Sequence, residues 1–154
     1  MNKKPDLVKV FSNLAKKFDG CYNMTFINAD GEIAVVRDPY GFRPLVYGFS
    51  EDKKIFMAAS ESVALINCGI HDVRSLQPGY MVHILDGRIE IKKYTEAKRI
   101  SHCMFEWVYF SNVGSVLDNK SVYTTRANLG KELAKLETEK IDKDYIVVPV
   151  PDTA

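Results

Sequence analysis

A chain of 154 residues has room for one domain with a core of its own and is short for two. Its 46% hydrophobic and 27% charged composition is too apolar for a disordered chain and too interrupted by charge for a membrane-spanning one. With 21 Lys and Arg against 20 Asp and Glu, the formal charge of +1 offers no basic excess for phosphate backbones and argues against a nucleic-acid partner.

The opening residues Met1–Val10 mix Lys3, Lys4, Asp6 and Lys9 with single apolar residues and lack the apolar stretch of a secretory leader. Cys21, Cys68 and Cys103 are odd in number and far apart, which defines neither a disulfide framework nor a paired-cysteine metal motif. A reducing, cytoplasmic setting is expected, with no membrane partner.

In chain order, Pro5 suits a first helical turn, and Leu7, Phe11, Leu14, Ala15 and Phe18 follow at helical spacing until Gly20; this predicts a helix over 5–18. Four runs rich in β-branched and aromatic residues come next, over 21–28, 32–37, 45–49 and 55–58. The turn signals between them predict consecutive hairpins, an antiparallel meander. Ser60 is placed to cap a short helix through Val63, Ala64 and Leu65 that stops at Gly69. Strands over 80–85 and 88–94, joined by Asp86-Gly87, make a further hairpin. Ser121 is expected to cap a second long helix with Val122, Leu129, Leu133 and Leu136 along one face. Tyr145–Pro151 reads as a buried strand that begins a new unit. His71, His83 and His102 fall on different elements without helical pairing, so a histidine metal site or a Ser/His catalytic arrangement has no support.

The richest loop is Arg37-Asp38-Pro39-Tyr40-Gly41-Phe42-Arg43-Pro44-Leu45. Pro39 and Pro44 fix φ, Gly41 permits a left-handed step, and the Asp38 carboxylate can bond nearby backbone N–H groups or an arginine. These properties favour a rigid turn that braces a site over direct catalysis.

This loop resembles the R-D-P-x-G-x-R-P-L segment of class II glutamine amidotransferases, and Ala58-Ala59-Ser60-Glu61-Ser62 resembles their A-S-E segment. Both motifs occur in amidophosphoribosyltransferases and in asparagine synthetases. Cys103-Met104-Phe105-Glu106-Trp107-Val108-Tyr109-Phe110 is similar to the C-x-F-E-Y-V-Y-F stretch of the former, as are Ser121-Val122-Tyr123 with Arg126, Leu129 and Gly130, and Val148-Pro149-Val150-Pro151-Asp152-Thr153. In that family glutamine is hydrolysed in a first domain, and the ammonia passes internally to attack phosphoribosyl pyrophosphate in a second. The product, phosphoribosylamine, opens purine synthesis.

The resemblance implies an α+β fold: a partial αββα sandwich of the N-terminal-nucleophile glutaminase type, antiparallel sheets with flanking helices, followed by the first strand of a phosphoribosyltransferase α/β domain. Residues 1–116 would be the later part of the glutaminase, 117–143 a connecting helix and 144–154 the start of the transferase. Asp38, Gly41 and Arg43 would brace the glutaminase site. Trp107 and Tyr109 would lie where the domains meet and ammonia passes, although alternating aromatics on a buried strand are better explained by packing than by channel lining.

Family glutaminases use an N-terminal cysteine whose α-amine is the base, because a free thiol is only a few per cent ionised at neutral pH. Here Met1-Asn2 opens the chain and the three cysteines are internal, so no catalytic residue is assigned and the isolated chain is expected to be inactive. Thr153 matches a Ser or Thr associated with magnesium in the complete enzyme, but one hydroxyl is a poor ligand for that cation. Cys103 matches the first ligand of the iron–sulfur members, yet a lone cysteine beside Met104 and Phe105 is better read as a core residue.

Where the family commonly has A-R-P-D-S, this chain has Ser111-Asn112-Val113-Gly114-Ser115, which puts coupling between the domains in question. Glutamine and phosphoribosyl pyrophosphate are the implied substrates and a homo-oligomer the implied assembly of the complete enzyme. The competing readings are a non-catalytic glutaminase-like binding or regulatory module and an asparagine synthetase piece, which would require an ATP-binding loop further on.

Overall fold

Asp6 opens the first helix: its carboxylate accepts from the Lys9 N–H at 3.2 Å, so α1 spans Leu7–Leu14, shorter at both ends than its apolar spacing implies. In the computed structural model, which describes residues 4–97 and 99–149, nine strands and two further helices follow. These are β1 (Asn23–Ile27), β2 (Ile33–Arg37), β3 (Val46–Phe49), β4 (Phe56–Ala59), α2 (Ser62–Asn67), β5 (Val73–Ser75), β6 (Tyr80–Leu85), β7 (Arg88–Lys93), β8 (Val116–Leu117), β9 (Lys120–Ser121) and α3 (Val122–Leu136). A single π-helical turn covers Glu106–Phe110.

The strands form two larger antiparallel sheets, ordered β1-β2-β6-β7 and β4-β3-β5. The expected meander is therefore broken at one place. The hairpins β1–β2 and β3–β4 form, but β2 pairs with β6 and not with β3. The Pro/Gly loop between them carries the chain from one sheet to the other. The alternation of β2 then serves two layers: Ala34 and Val36 pack with Leu7 and Phe11 of α1, while Val35 packs with Leu45, Tyr47 and Leu76 between the sheets. In β3, Tyr47 faces the same interior, and Val46 turns to Leu65 of α2 and Ile70. Helix, sheet, sheet and helix make the αββα order.

Three local details differ from expectation. Glu61, not Ser60, occupies the N-cap of α2, and it makes no side-chain capping bond because its carboxylate is engaged elsewhere. Ser121 does cap α3, accepting from Thr124 N–H, but of the expected apolar face only Val122 is buried; Leu133 and Leu136 are 73% and 77% exposed.

The strand expected at Tyr145–Pro151 is not formed over Tyr145–Pro149, and its last two residues lie outside the described ones. Ile146 and Val147 are each 85% exposed, and a strand of a parallel sheet needs neighbours at its edges and cover on its faces, which no described residue supplies. Thr153 lies outside the described residues. Among those described, no helix is long and apolar enough to cross a membrane.

Candidate functional site

The loop between the sheets is organised by its first residue. Arg37, at the end of β2, is fully buried. All five of its N–H donors are used: Nε donates to Arg43 O (3.0 Å), Nη1 to Leu76 O (2.7 Å) and Asp118 Oδ1 (2.7 Å), and Nη2 to Gly41 O (3.2 Å) and Asp118 Oδ2 (2.8 Å). The guanidinium thus holds both ends of the loop, the entry to β6 and the β8–β9 turn, with a two-pronged carboxylate pair as its counter-charge. Asp118 and Asn119 form that turn with positive φ of 46° and 64°, which places the carboxylate against Arg37.

Asp38 is equally buried. Its Oδ1 accepts from the N–H groups of Tyr40 and Gly41, both at 2.8 Å, an Asx-type closure of the turn. Its Oδ2 has no hydrogen-bond partner among the described residues. Burial pushes the carboxyl above its ordinary value of 3.8; the Tyr40 and Gly41 amides and the Arg37 charge oppose that rise only in part. Behind it, Tyr22 OH and Tyr94 OH lie 3.0 Å apart, and Tyr94 donates to Arg37 O at 2.7 Å. Burial raises both phenols, that of Tyr94 far above its usual range, so both stay protonated. Gly41 has φ +63°, and a Cβ there would stand 2.6 Å from Pro78 Cγ. Only glycine fits the turn and the contact together.

Arg43 leaves the loop in the other direction. It pairs with the buried Glu106, and its guanidinium carbon lies 5.4 Å from the Phe110 ring centroid, within cation–π range. The segment before the π-helix also runs along the loop: Ser101 N–H donates to Tyr40 O and Cys103 N–H to Phe42 O, both at 2.9 Å. Arg126 of α3 receives the far end, donating to the carbonyls of Trp107, Tyr109 and Ser111 at 2.8–3.1 Å. The π-turn, a geometry frequent at functional sites, is held between two arginines from different elements.

Of the residues singled out from sequence, Asp38, Gly41 and Arg43 come together in this loop, and Trp107 lies close by. Trp107 is buried with Leu117 and Val122, stacks at 5.6 Å on His102 and donates to Lys120 O at 3.3 Å. It helps line a cleft of about 370 Å³ with His102, Met104, Val108, Thr125 and Leu129. Tyr109 is more than half exposed and does not line that cleft. Cys103 is a half-buried free thiol, and no group of three His, Cys, Asp or Glu among the described residues is arranged to hold a metal. Neither magnesium nor an iron–sulfur cluster has a fitting ligand set there.

Sequence reasoning missed Arg37, Asp118, Glu106 and Arg126 as members of the site. Asp118-Asn119 is a turn signal, but its arms are two residues each and leave no strand pattern to notice. The departure at 111–115 is also engaged: Glu61 Oε2 accepts from Asn112 N–H (2.7 Å) and Ser115 Oγ (2.8 Å), and Ser62 Oγ accepts from Val116 N–H (2.8 Å).

The Arg37 network is a rigid polar frame between the two sheets. Residues 4–67 match the family described as glutamine amidotransferase domain. The chain is 33% identical over 153 residues to an amidophosphoribosyltransferase of Methanothermobacter thermautotrophicus, covering 99% of this chain and 31% of that protein. It is 38% identical over 125 residues to that of Escherichia coli, covering 77% and 25%. The glutamine phosphoribosylpyrophosphate amidotransferase structure from B. subtilis, complexed with ADP and GMP, superposes with a TM-score of 0.76 at 29% identity over 90% of this chain and 30% of its own. Over nearly its whole length the chain is thus similar to amidophosphoribosyltransferases, and it spans between a quarter and a third of the length of these relatives.

Proposed function

We propose that these residues form the later part of the glutaminase domain of an amidophosphoribosyltransferase, serving the glutamine-dependent formation of phosphoribosylamine from phosphoribosyl pyrophosphate. Residues 1–116 belong to the glutaminase, 117–143 connect and 144–154 begin the transferase; the complete enzyme is a cytoplasmic homo-oligomer that uses magnesium in its transferase half. The observation that carries the reading is the Arg37 network. It spends a fully buried cation on fixing the Asp38–Arg43 loop and tying it to the hairpin before α3, a use of charge that suits site support and not turnover. Asp38, Gly41 and Arg43 brace the glutamine site. Trp107 and Tyr109 stand on the segment between the two activities, with Trp107 the better placed of the two for an ammonia path.

Amide hydrolysis by a cysteine glutaminase needs a thiolate beside a free α-amine, and Cys21, Cys68 and Cys103 all lie within the chain. The 154-residue polypeptide alone therefore releases no ammonia from glutamine, whereas a chimera carrying it in place of the matching segment of the M. thermautotrophicus relative does. Ammonia from the isolated chain above a denatured control, or a folded chimera without glutaminase activity, would sink the proposal.

A further inference from the structure

Glycine follows aspartate at three places, Asp19-Gly20, Asp30-Gly31 and Asp86-Gly87. Such a pair is chemically special: glycine has no side chain to shield its amide, so the amide nitrogen can reach the carboxyl group of the aspartate before it. The hydrogen bonds around the three pairs set one of them apart.

Asp30-Gly31 turns the β1–β2 hairpin. Its Gly31 N–H donates to Asn28 O at 3.1 Å, and the Asp30 carboxylate pairs with Lys4 at 3.2 Å, so both groups are engaged elsewhere. Asp86-Gly87 is the two-residue turn of the β6–β7 hairpin, with φ of 50° and 72°, and Leu85 pairs with Arg88 across it. A ring closed between these two residues would distort a turn that the ladder fixes.

Asp19-Gly20 lies between α1 and β1, outside any helix or strand, and both residues are exposed. Here the Gly20 N–H donates to Asp19 Oδ1 at 2.9 Å. The nitrogen and the carboxyl group of one residue pair already face each other, close to the separation of about 3–3.5 Å from which bonds form. Gly20 has φ +84°, with nothing within 4 Å of an added Cβ, which leaves room for a ring to close.

We propose that Asp19 is a site of succinimide formation and conversion to isoaspartate, and that the conversion loosens the Tyr22–Asp38 contact. With the carboxyl protonated, the Gly20 nitrogen attacks Asp19 Cγ; the N–Cγ bond forms, and the amide proton and carboxyl hydroxyl leave together as water. Water then adds to one of the two imide carbonyls. Addition at Cγ breaks the new bond and restores aspartate. Addition at the main-chain carbonyl carbon breaks the original peptide C–N bond and leaves the chain running through Cγ. Nothing is oxidised or reduced, and water is the only co-reactant. The isomer carries an extra main-chain carbon just before Tyr22, whose carbonyl accepts from Asp38 N–H at 2.9 Å. Asp19, Gly20, Tyr22, Pro39 and Tyr40 line one cleft of about 390 Å³, so the change falls beside the loop that Arg37 fixes.

The test is to age the full chain for weeks at physiological temperature, folded and in urea, and to map isoaspartate peptide by peptide through methyl transfer from labelled S-adenosylmethionine by an isoaspartyl methyltransferase. Unfolded, the three pairs convert at similar rates. Folded, Asp19 keeps the unfolded rate or exceeds it, while Asp30 and Asp86 slow by about tenfold or more because their turns must first open. Gly20→Ala shields the nitrogen and slows conversion at Asp19 by about tenfold. Asp19→Asn keeps an oxygen for the Gly20 N–H and loses ammonia in place of water; an amide has no ionised, unreactive form at neutral pH, so conversion rises by about tenfold. This second variant decides the matter if the first does not fold. In the aged chain, separated from its parent, the Asp38 amide exchanges about fivefold faster.

Equal conversion at the three pairs in the folded chain, slower conversion at Asp19 folded than unfolded, or rates indifferent to both substitutions overturn the site. An Asp38 amide that exchanges as it did before ageing overturns the coupling to the loop.

Discussion

The Arg37 hub and the helix α3 sort their chemistry in opposite ways. At the hub, a guanidinium and the Asp38 carboxylate lie buried, the Asp118 carboxylate is mostly buried beside them, and every guanidinium donor is used within the described residues. Along α3, leucines stand in water while the charged ends of Arg126, Lys131 and Lys135 and the Thr125 hydroxyl make side-chain bonds. Burying a charge is tolerated only when its partners are complete, and the Arg37 guanidinium meets that condition with all five donors engaged. An exposed row of leucines gains nothing from burial. The stability of this chain resides in the first region and not in the second.

The comparison breaks most visibly at Asp118. Asp118→Ala leaves the Arg37 charge buried with two donors unpaired, and a loss of about 3–5 kcal/mol in urea unfolding is expected. Leu65→Ala, at a fully buried side chain over the second sheet, is expected to lose about 2–5 kcal/mol by the cavity it opens. If Asp118→Ala loses less than Leu65→Ala by a wide margin, the hub is not the keystone described here.

Gly41→Ala comes next, at about 2–4 kcal/mol, from left-handed backbone strain plus overlap with Pro78. Gly31→Ala separates the two causes. Its φ is +76° but nothing lies within 4 Å of an added Cβ, so only the strain of about 1–2 kcal/mol is expected. Equal losses at the two glycines would remove the packing argument for the loop.

A smaller effect is expected from Asp38. Its carboxyl binds a proton more tightly folded than unfolded, so between the raised folded value and the ordinary 3.8 the native state holds the extra proton and is stabilised as pH falls. Above the folded value that contribution is lost. Asp52, Asp72 and Glu90 act in the opposite sense: hydrogen bonds from Ser50, Arg74 and Lys92, respectively, lower them, so their contribution is present above the ordinary carboxylate value and fades as pH falls through the lowered one. Asp38→Asn should therefore make the acid-side loss of melting temperature steeper than in the parent chain. An unchanged profile would show that the Asp38 proton does not respond to folding.

Much of this was legible before any coordinates. The hairpins over 23–37 and 80–93, the cap at Ser121 and the layered fold follow from alternation, turn dipeptides and motif resemblance, because each is a local signal. What escaped is long-range. That β2 pairs with β6 and not with β3 depends on how the Pro39–Pro44 loop swings between sheets. Arg37 and Asp118 are 81 residues apart, and no periodicity relates them. Asp38, Gly41 and Arg43 stand together in one motif, yet nothing local marks Arg37, the residue before them, as the one that holds them in place. At 145–149 an apolar run promised a strand, but apolarity reports a demand for burial and cannot say whether a partner is at hand.

The smallest effect sharpens the comparison most. Leu133→Ala deletes the same atoms as Leu65→Ala, from a side chain that is 73% exposed and not fully buried, and alanine is at least as good a helix former as leucine. The expected change in unfolding free energy is within about 0.5 kcal/mol, and Leu136→Ala should match it. A loss above about 1 kcal/mol at either position would mean that the α3 leucines are packed in solution. Repeating the measurement over a tenfold range of protein concentration then identifies the packing: a loss that grows with concentration places the leucines against a second copy, and one that does not places them against this chain's own exposed segment at 145–149.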